Sequence, residues 1–391
     1  MRIAYGVNGY GRGHAMRVAA VLPRLTEHHQ VRVFAGADAY DALAPQYEVI
    51  RIPSLRYHYR QPGKLSWLRT LHHNVPMALD LLWGGGGVDM VCDSLREFGA
   101  ELIISDSEAY TLRAGGRLGI PRISFDNFGQ LAYCRLRARR RDRLKLKLNA
   151  WGYVLLLGHA ERVLLASFFN APAKGPHVHF VGPVIRREVM EHEPTCGEYL
   201  LTYISKEAEY TPRVEQALLE AGCPVRLYGT SRRGLYGRIE YKPLANLSFI
   251  EDLAGCRAVF GTTGNQLLSE VIHFRKPMLC MPIDCMEQRI NADELKRLGV
   301  AEVVSPKHVT GRVIRAFWAR EAGLAANYSG CTANGCSEAV ELIERFAREL
   351  GNGSALKTVA AEGEPRRGDQ ESVSASSARA LSKGILRSTH P

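Results

Sequence analysis

The chain has 391 residues, 23% charged and 46% apolar, with a formal net charge of +11. That balance is globular and excludes a disordered or fibrous chain, and the length suits two cores better than one. Nine cysteines without CxxC spacing argue for reduced thiols in a cytosol and against a zinc site. Cys280 and Cys285, and Cys331 and Cys336, come nearest to pairs, with no histidine at ligand spacing. The first residues lead straight into a strand, so no signal peptide is read. The longest apolar run, residues 151–157, is far too short to cross a bilayer as a helix.

In chain order, residues 2–6 predict a first strand, residues 7–14 a glycine-containing loop and residues 15–25 a helix. Strands are predicted over 31–35, 101–105, 122–125 and 162–167, alternating with helical stretches, which implies a parallel sheet covered on both faces. Residues 177–183 read as a linker, and a second unit of the same kind starts with a strand at 198–204. Its most informative part is residues 249–299. Val259-Phe260 end an apolar run, Gly261-Thr262-Thr263-Gly264 turn the chain, and 265–274 predict a helix. A second buried strand follows at 277–282, and Glu287, Gln288 and Asn291 open another helix. Such a unit puts its turns at the carboxyl ends of parallel strands, where open α/β sheets bind ligands. A helix starting just after Gly264, with Asn265 in its first turn, offers free N–H groups and a positive dipole end to a diphosphate. The domains expected are therefore 1–182 and 183–351. Residues 352–391, rich in Gly, Ser, Ala, Glu and Arg, are expected to be a disordered tail.

Three segments of the second unit together resemble the donor half of the GT-B glycosyltransferases. The likeness is to the bacterial lipid-linked N-acetylglucosaminyltransferase of peptidoglycan synthesis and to the macrolide and UDP-glucuronosyl transferases. Phe249-Ile250-Glu251-Asp252-Leu253 matches the family segment that meets the nucleobase. Gly264 and, six residues on, Glu270 match the glycine turn and ribose-binding acid. Glu287, Gln288 and Asn291 match the donor-sugar group. The resemblance implies two Rossmann-like, doubly wound α/β domains facing across a cleft, and sugar transfer from a nucleotide-sugar to an acceptor hydroxyl with inversion. UDP is the nucleotide whose users the Phe249-Ile250 segment matches best. It also implies that Ser205, after the 198–204 strand, contacts phosphate, although the glycines around that serine in the family are absent here.

The first loop does not fit G-x-G-x-x-G, so no dinucleotide fingerprint is present. Gly9, Gly11 and Gly13 followed by His14 do resemble the family's acceptor loop, with Tyr10 and Arg12 standing where the family has smaller residues. In the natural-product branch the loop histidine is the general base and an Asp on a neighbouring strand end orients it. His14 and Asp106 take those places, the logic of a triad without its protein nucleophile. Glu108 competes for the Asp106 role, and an N-cap for the next helix is the alternative for Asp106 itself. No Asp-x-Asp occurs anywhere in the chain. A metal-free mechanism therefore fits, with the Thr262-Thr263-Gly264-Asn265 helix start offsetting the leaving diphosphate; no cofactor beyond the nucleotide-sugar co-substrate is expected.

Cations alternate with aliphatics over 135–148 and run into the apolar 151–157 segment. This reads as a cationic amphipathic element at an anionic membrane surface, or as a solvated face or acceptor-phosphate site. Nucleic acid is not an expected partner, because no aromatic stacking pattern accompanies the charge. The acceptor is a small molecule or a lipid-linked glycan, and its recognition is assigned to residues 55–87. The location expected is cytoplasmic, extending to the inner face of the membrane. A UDP-N-acetylglucosamine 2-epimerase and a catalytically inactive membrane- or RNA-binding protein are the alternative readings.

Overall fold

The computed structural model describes residues 1–55, 59–61, 64–65, 67–328 and 334–362. Cys331, parts of the 55–87 segment and residues 363–391 of the predicted tail lie outside the described residues. Residues 1–351 form one compact body.

The first sheet holds β1 (Arg2–Val7), β2 (Gln30–Ala35), β3 (Val49–Arg51), β6 (Leu102–Asp106), β7 (Arg122–Asp126), β8 (Arg162–Ala166) and β9 (Val178–Val181), in the order β3-β2-β1-β6-β7-β8-β9. A small antiparallel pair, β4 (Tyr59–Gln61) and β5 (Lys64–Leu65), stands apart from it. Pairing within the seven strands is parallel throughout. The apolar runs follow from this: Ile3, Ala4, Tyr5, Ile103 and Ile104 are buried because both faces of the sheet are covered. The predicted linker at 177–183 is in part the seventh strand, since Val178 and Val181 have a buried edge beside β8 to complete.

The second sheet holds β10 (Leu200–Tyr203), β11 (Val225–Tyr228), β12 (Gly234–Tyr236), β13 (Ile239–Tyr241), β14 (Ala258–Gly261), β15 (Met278–Cys280) and β16 (Ala301–Val303), in the order β12-β13-β11-β10-β14-β15-β16. All its pairs are parallel except β12 with β13, an edge hairpin. Each sheet thus winds outward from a central strand and reverses once, between β1 and β6 in the first and between β10 and β14 in the second. Ligands of open α/β sheets sit outside the carboxyl ends of the strands at such reversals.

Eight helices position the site and its surroundings: α1 (Arg12–Leu25), α2 (Trp67–Trp83), α3 (Ala109–Leu118), α4 (Arg143–Leu157), α5 (Asn246–Gly255), α6 (Asn265–His273), α7 (Met286–Arg297) and α8 (Cys336–Glu362). Helix α8 departs from the expected division at 183, because Ala339, Ile343, Phe346 and Ala347 pack into the core of the first sheet with Val18, Val21 and Leu22 of α1. His29 Nε2 lies 2.7 Å from Glu344 Oε1, and Arg162 donates to Glu349 at 3.1 Å, so the edges of that packing are polar. The helix also runs on past residue 352, where the sequence suggests no regular structure. No helix among the described residues is long and apolar enough to cross a membrane.

Candidate active site

The two reversals open onto one cleft of about 1670 Å³. On the first side, β1 and β6 pair in register with Val7 opposite Asp106, which brings the first turn of α1 against the end of β6. His14 Nδ1 lies 2.7 Å from Asp106 Oδ1. The carboxylate is fully buried and the imidazole partly exposed on the cleft wall. An ionised carboxylate accepts only, so the tautomer that fits carries its proton on Nδ1 and leaves the Nε2 lone pair free. Glu108 does not compete for this place. It caps α3, accepting from the Tyr110 and Thr111 backbone N–H groups at 2.8 and 2.7 Å, which also removes the capping alternative for Asp106.

Arg17, one turn after His14, grips the same carboxylate with Nε to Oδ2 at 2.8 Å and Nη2 to Oδ1 at 2.6 Å. Burial works to raise the Asp106 carboxyl, but the charges and hydrogen bonds of Arg17 and His14 outweigh it and hold the group below its ordinary value. Asp126, next along the sheet, goes the other way: burial, then repulsion from Asp106, raise it. Nothing at sequence level flags Arg17 beyond its i+3 spacing from His14.

The glycines of the first loop divide. Gly11, at φ 86°, is the left-handed N-cap of α1. Gly13 lies on the cleft wall, where an added Cβ would come 3.4 Å from Gln266 of the opposite lobe. Gly9 faces away from the cleft: a side chain there would strike Ser54 Oγ and the Gly36 carbonyl, so packing explains it and acceptor contact does not.

On the second side, Gly264 caps α6 without any side-chain hydrogen bond, so the N-terminus of that helix opens on the cleft. Beside it Thr262 Oγ1 and Asn265 Oδ1 are buried without partners. Glu270, further along α6, is buried and held by Arg186, whose Nε and Nη2 donate to its Oε1 at 3.0 and 2.8 Å. An unpartnered buried carboxylate there would be costly; the missing partner comes from the segment between the sheets, 84 positions away. Ser205 lies on the wall and donates to Glu209 at 3.0 Å. Its neighbour Lys206 reaches Asp38 of the first lobe at 2.6 Å.

Phe249 borders the cleft from α5, packed edge-on against Tyr228 at 5.1 Å between centroids. Ile250 points the other way into the core and is fully buried. Asp252 ties α5 down through Arg226, Tyr228 and Lys242. From α7, Gln288 Oε1 accepts the Thr263 and Ile283 N–H groups at 3.1 and 3.3 Å, which leaves its amide NH₂ for a ligand. Glu287 is buried on the wall, and desolvation pushes its carboxyl up to about 7 despite the Asn291 amide at 2.8 Å and the nearby charges of His14 and Arg17. Asn291 and Thr263 are fully buried behind this wall. Asn291 donates to Glu287 and to the Thr263 carbonyl, so these two residues support the site and do not border the cleft. Asn127, which belongs to none of the recognisable motifs, does border it; its Nδ2 donates to the Ala166 carbonyl at 3.0 Å and its Oδ1 is unpartnered.

The 135–148 segment differs from expectation. Arg139 pairs with Asp293, Lys145 with Asp284, and Arg289 with Asp142. These three ion pairs join α4 and its approach to the α7 region across the cleft mouth, so part of the cationic run is engaged within the molecule. Arg135, Arg137, Arg140 and Arg141 stay exposed, as does the stripe Leu144, Leu148 and Trp151 on α4 with Arg143 and Lys147 beside it. The neighbouring α2 carries a second stripe of Val75, Leu79 and Trp83. Trp83 and Trp151 are 76% and 65% exposed.

A family model described as glycosyl transferase family 1 matches residues 1–321. The chain belongs to this glycosyltransferase family. Among solved structures, the transferase is similar to the glycotransferase of kitacinnamycin, at 16% identity over 88% of this chain and 98% of that one, with a TM-score of 0.65. It is also similar to the glycosyltransferase VinC in complex with dTDP, at 14% identity over 89% and 100% of the two chains and a TM-score of 0.56. MurG of Acinetobacter baumannii aligns at 13% identity over 88% and 99%, with a TM-score of 0.55. The two seven-stranded α/β sheets and these neighbours make the transferase a GT-B fold. No match was found among curated protein sequences.

Proposed function

We propose that the transferase moves a sugar from a UDP-sugar to an acceptor hydroxyl with inversion, without a metal, using His14 as general base. The observation that carries this reading is the pairing on one cleft of His14–Asp106 at one sheet reversal with the uncapped start of α6 at the other. The α6 N–H groups and dipole offset the diphosphate charge, and Ser205 joins them by turning its hydroxyl from Glu209 to the phosphate. Glu270, fixed by Arg186, accepts from the ribose diol, and Glu287 with the Gln288 amide addresses the sugar hydroxyls. The acceptor oxygen attacks the anomeric carbon from the face opposite the diphosphate. Its proton passes to His14 Nε2 as the bond to the phosphate oxygen breaks, and the diphosphate leaves with the electron pair. Asp106 holds the imidazole tautomer and steadies the imidazolium that forms.

The exposed stripes on α2 and α4, flanked by cations, support an acceptor met at an anionic membrane surface, with the protein cytoplasmic and peripheral. Tryptophan with Lys and Arg is the composition of such an interface.

Thermal unfolding against UDP, dTDP, GDP and ADP tests the donor site. A ligand at a hundred times its Kd stabilises by about 2.7 kcal/mol, and a selective UDP response is expected. The dTDP of the VinC complex makes dTDP the informative competitor; a dTDP-selective response replaces the nucleotide, and no response to any of them overturns the donor site. His14→Ala is expected to abolish transfer and spare nucleotide binding. Unaltered transfer removes the base assignment.

A further inference from the structure

We propose that Arg17 is a positioning residue that keeps the His14–Asp106 pair in the neutral-imidazole form a base requires. The proposal rests on His14 being the base, and it comes from a feature that a His–Asp pair alone does not need.

The guanidinium is almost fully buried and meets both carboxylate oxygens of Asp106 in a two-point grip. That geometry fixes the plane of the carboxylate, and hence the direction in which Oδ1 accepts from His14. The charge balance follows from the same three groups. With a neutral imidazole, Arg17 and Asp106 cancel. With an imidazolium, the cluster carries one net positive charge, and Arg17 Nη2 lies only 3.2 Å from His14 Nδ1. Nδ1 already gives its hydrogen to Asp106, so this approach sets two donors side by side and disfavours a second proton on the ring.

Without the guanidinium, the buried carboxylate would face the imidazole alone, and the pair would take up a proton from solvent to become neutral overall. The base would then be occupied at the pH where it must work. Other charged or titratable groups near the cluster are Asp126 on β7, Tyr5 on β1 and Glu287 on α7. Glu287 is the acid among them that acts on His14, and its charge favours the protonated ring; Arg17 is the group that opposes it.

The test is the pH profile of kcat/KM for wild type, Arg17→Met and Arg17→Lys, with ¹⁵N NMR titration of the His14 ring in each. Arg17→Met is expected to move the acid limb to higher pH by about one unit or more, with activity recovering on the alkaline side. Arg17→Lys keeps a cation and is expected to leave the limb near its wild-type position while lowering kcat through the lost two-point grip. A merely structural arginine would lower the rate equally at every pH. An unshifted limb in folded Arg17→Met overturns the proposal. Should that variant not fold, a limb in Arg17→Lys displaced by a full unit overturns it instead. The ring titration needs no turnover. If His14→Ala retains transfer, the base assignment fails, while the ¹⁵N data still report whether Arg17 controls the ring's protonation.

Discussion

Glu287→Gln isolates the energetic cost of placing a buried acid on the cleft wall. The carboxyl is buried and displaced from its ordinary 4.5 to about 7, with desolvation the main cause. A carboxyl raised in the folded state is protonated there while the unfolded chain has already ionised. Stability therefore falls as pH rises from about 4.5 to about 7 and is flat above that window. Each pH unit of displacement is worth about 1.4 kcal/mol, so the whole effect is about 3 kcal/mol. Glutamine keeps the shape, carries no charge at any pH and can still accept from Asn291 Nδ2. Urea unfolding of both proteins, at half-unit steps from pH 4.5 to 8.5, measures the difference directly, because every other titrating group is common to the two. The variant should match wild type near pH 4.5 and exceed it by about 3 kcal/mol above pH 7. A difference that does not change with pH would refute the reasoning and mean that the acid stays ionised in its pocket.

Glu270→Ala leaves Arg186 buried without its counter-charge, for which a loss of about 3–5 kcal/mol in urea unfolding is expected. Calorimetry should show weaker nucleotide binding as well, and wild-type affinity would remove the ribose role. Exchanging Trp83 and Trp151 for Ser should reduce sedimentation with anionic vesicles and leave turnover of a water-soluble acceptor unchanged; unchanged sedimentation argues against the membrane surface. Arg139–Asp293 and Lys145–Asp284 at the cleft mouth are partly exposed, so each contributes only about 0–1 kcal/mol, whereas Asp142 of the third pair is buried. Asp284→Asn should accordingly barely change the unfolding midpoint, and a large drop would show that the latch carries more than surface pairing.

What could be read in the sequence was local. Gly261 to Gly264 with a helix behind it is a pattern of turn chemistry and periodicity, and it sits where expected at the end of β14. His14 and Asp106 are 92 positions apart, yet Asp106 ends β6 and His14 lies in the first turn of the helix that follows β1, so parallel pairing of β1 with β6 brings them together. The partners were less legible. Arg186 and Glu270 are joined only because the chain returns between the sheets, and Asp142 meets Arg289 only when the lobes close on one another. A cationic run such as 135–148 looks alike in sequence whether its charges meet lipid, solvent or the aspartates of α7 and the loop before it. Burial divided the motifs too. Ile250, Thr263 and Asn291 belong to ligand-binding patterns but lie behind the wall, and no periodicity separates a residue that touches a ligand from one that props up its neighbour.

The return of α8 to the first sheet gives the molecule an order of assembly. In chain terms the second lobe is an insertion within the first, since residues 182–335 intervene between β9 and the helix that covers part of the same core. During synthesis the early lobe must wait, with the faces of Val18, Val21 and Leu22 uncovered, until the late lobe has been made. Domains emerging from the ribosome usually fold one after another; here the one begun first is finished last. A chain stopped short of Cys336 would carry every cleft residue of the second lobe named above, and its damage would appear as an unstable first lobe.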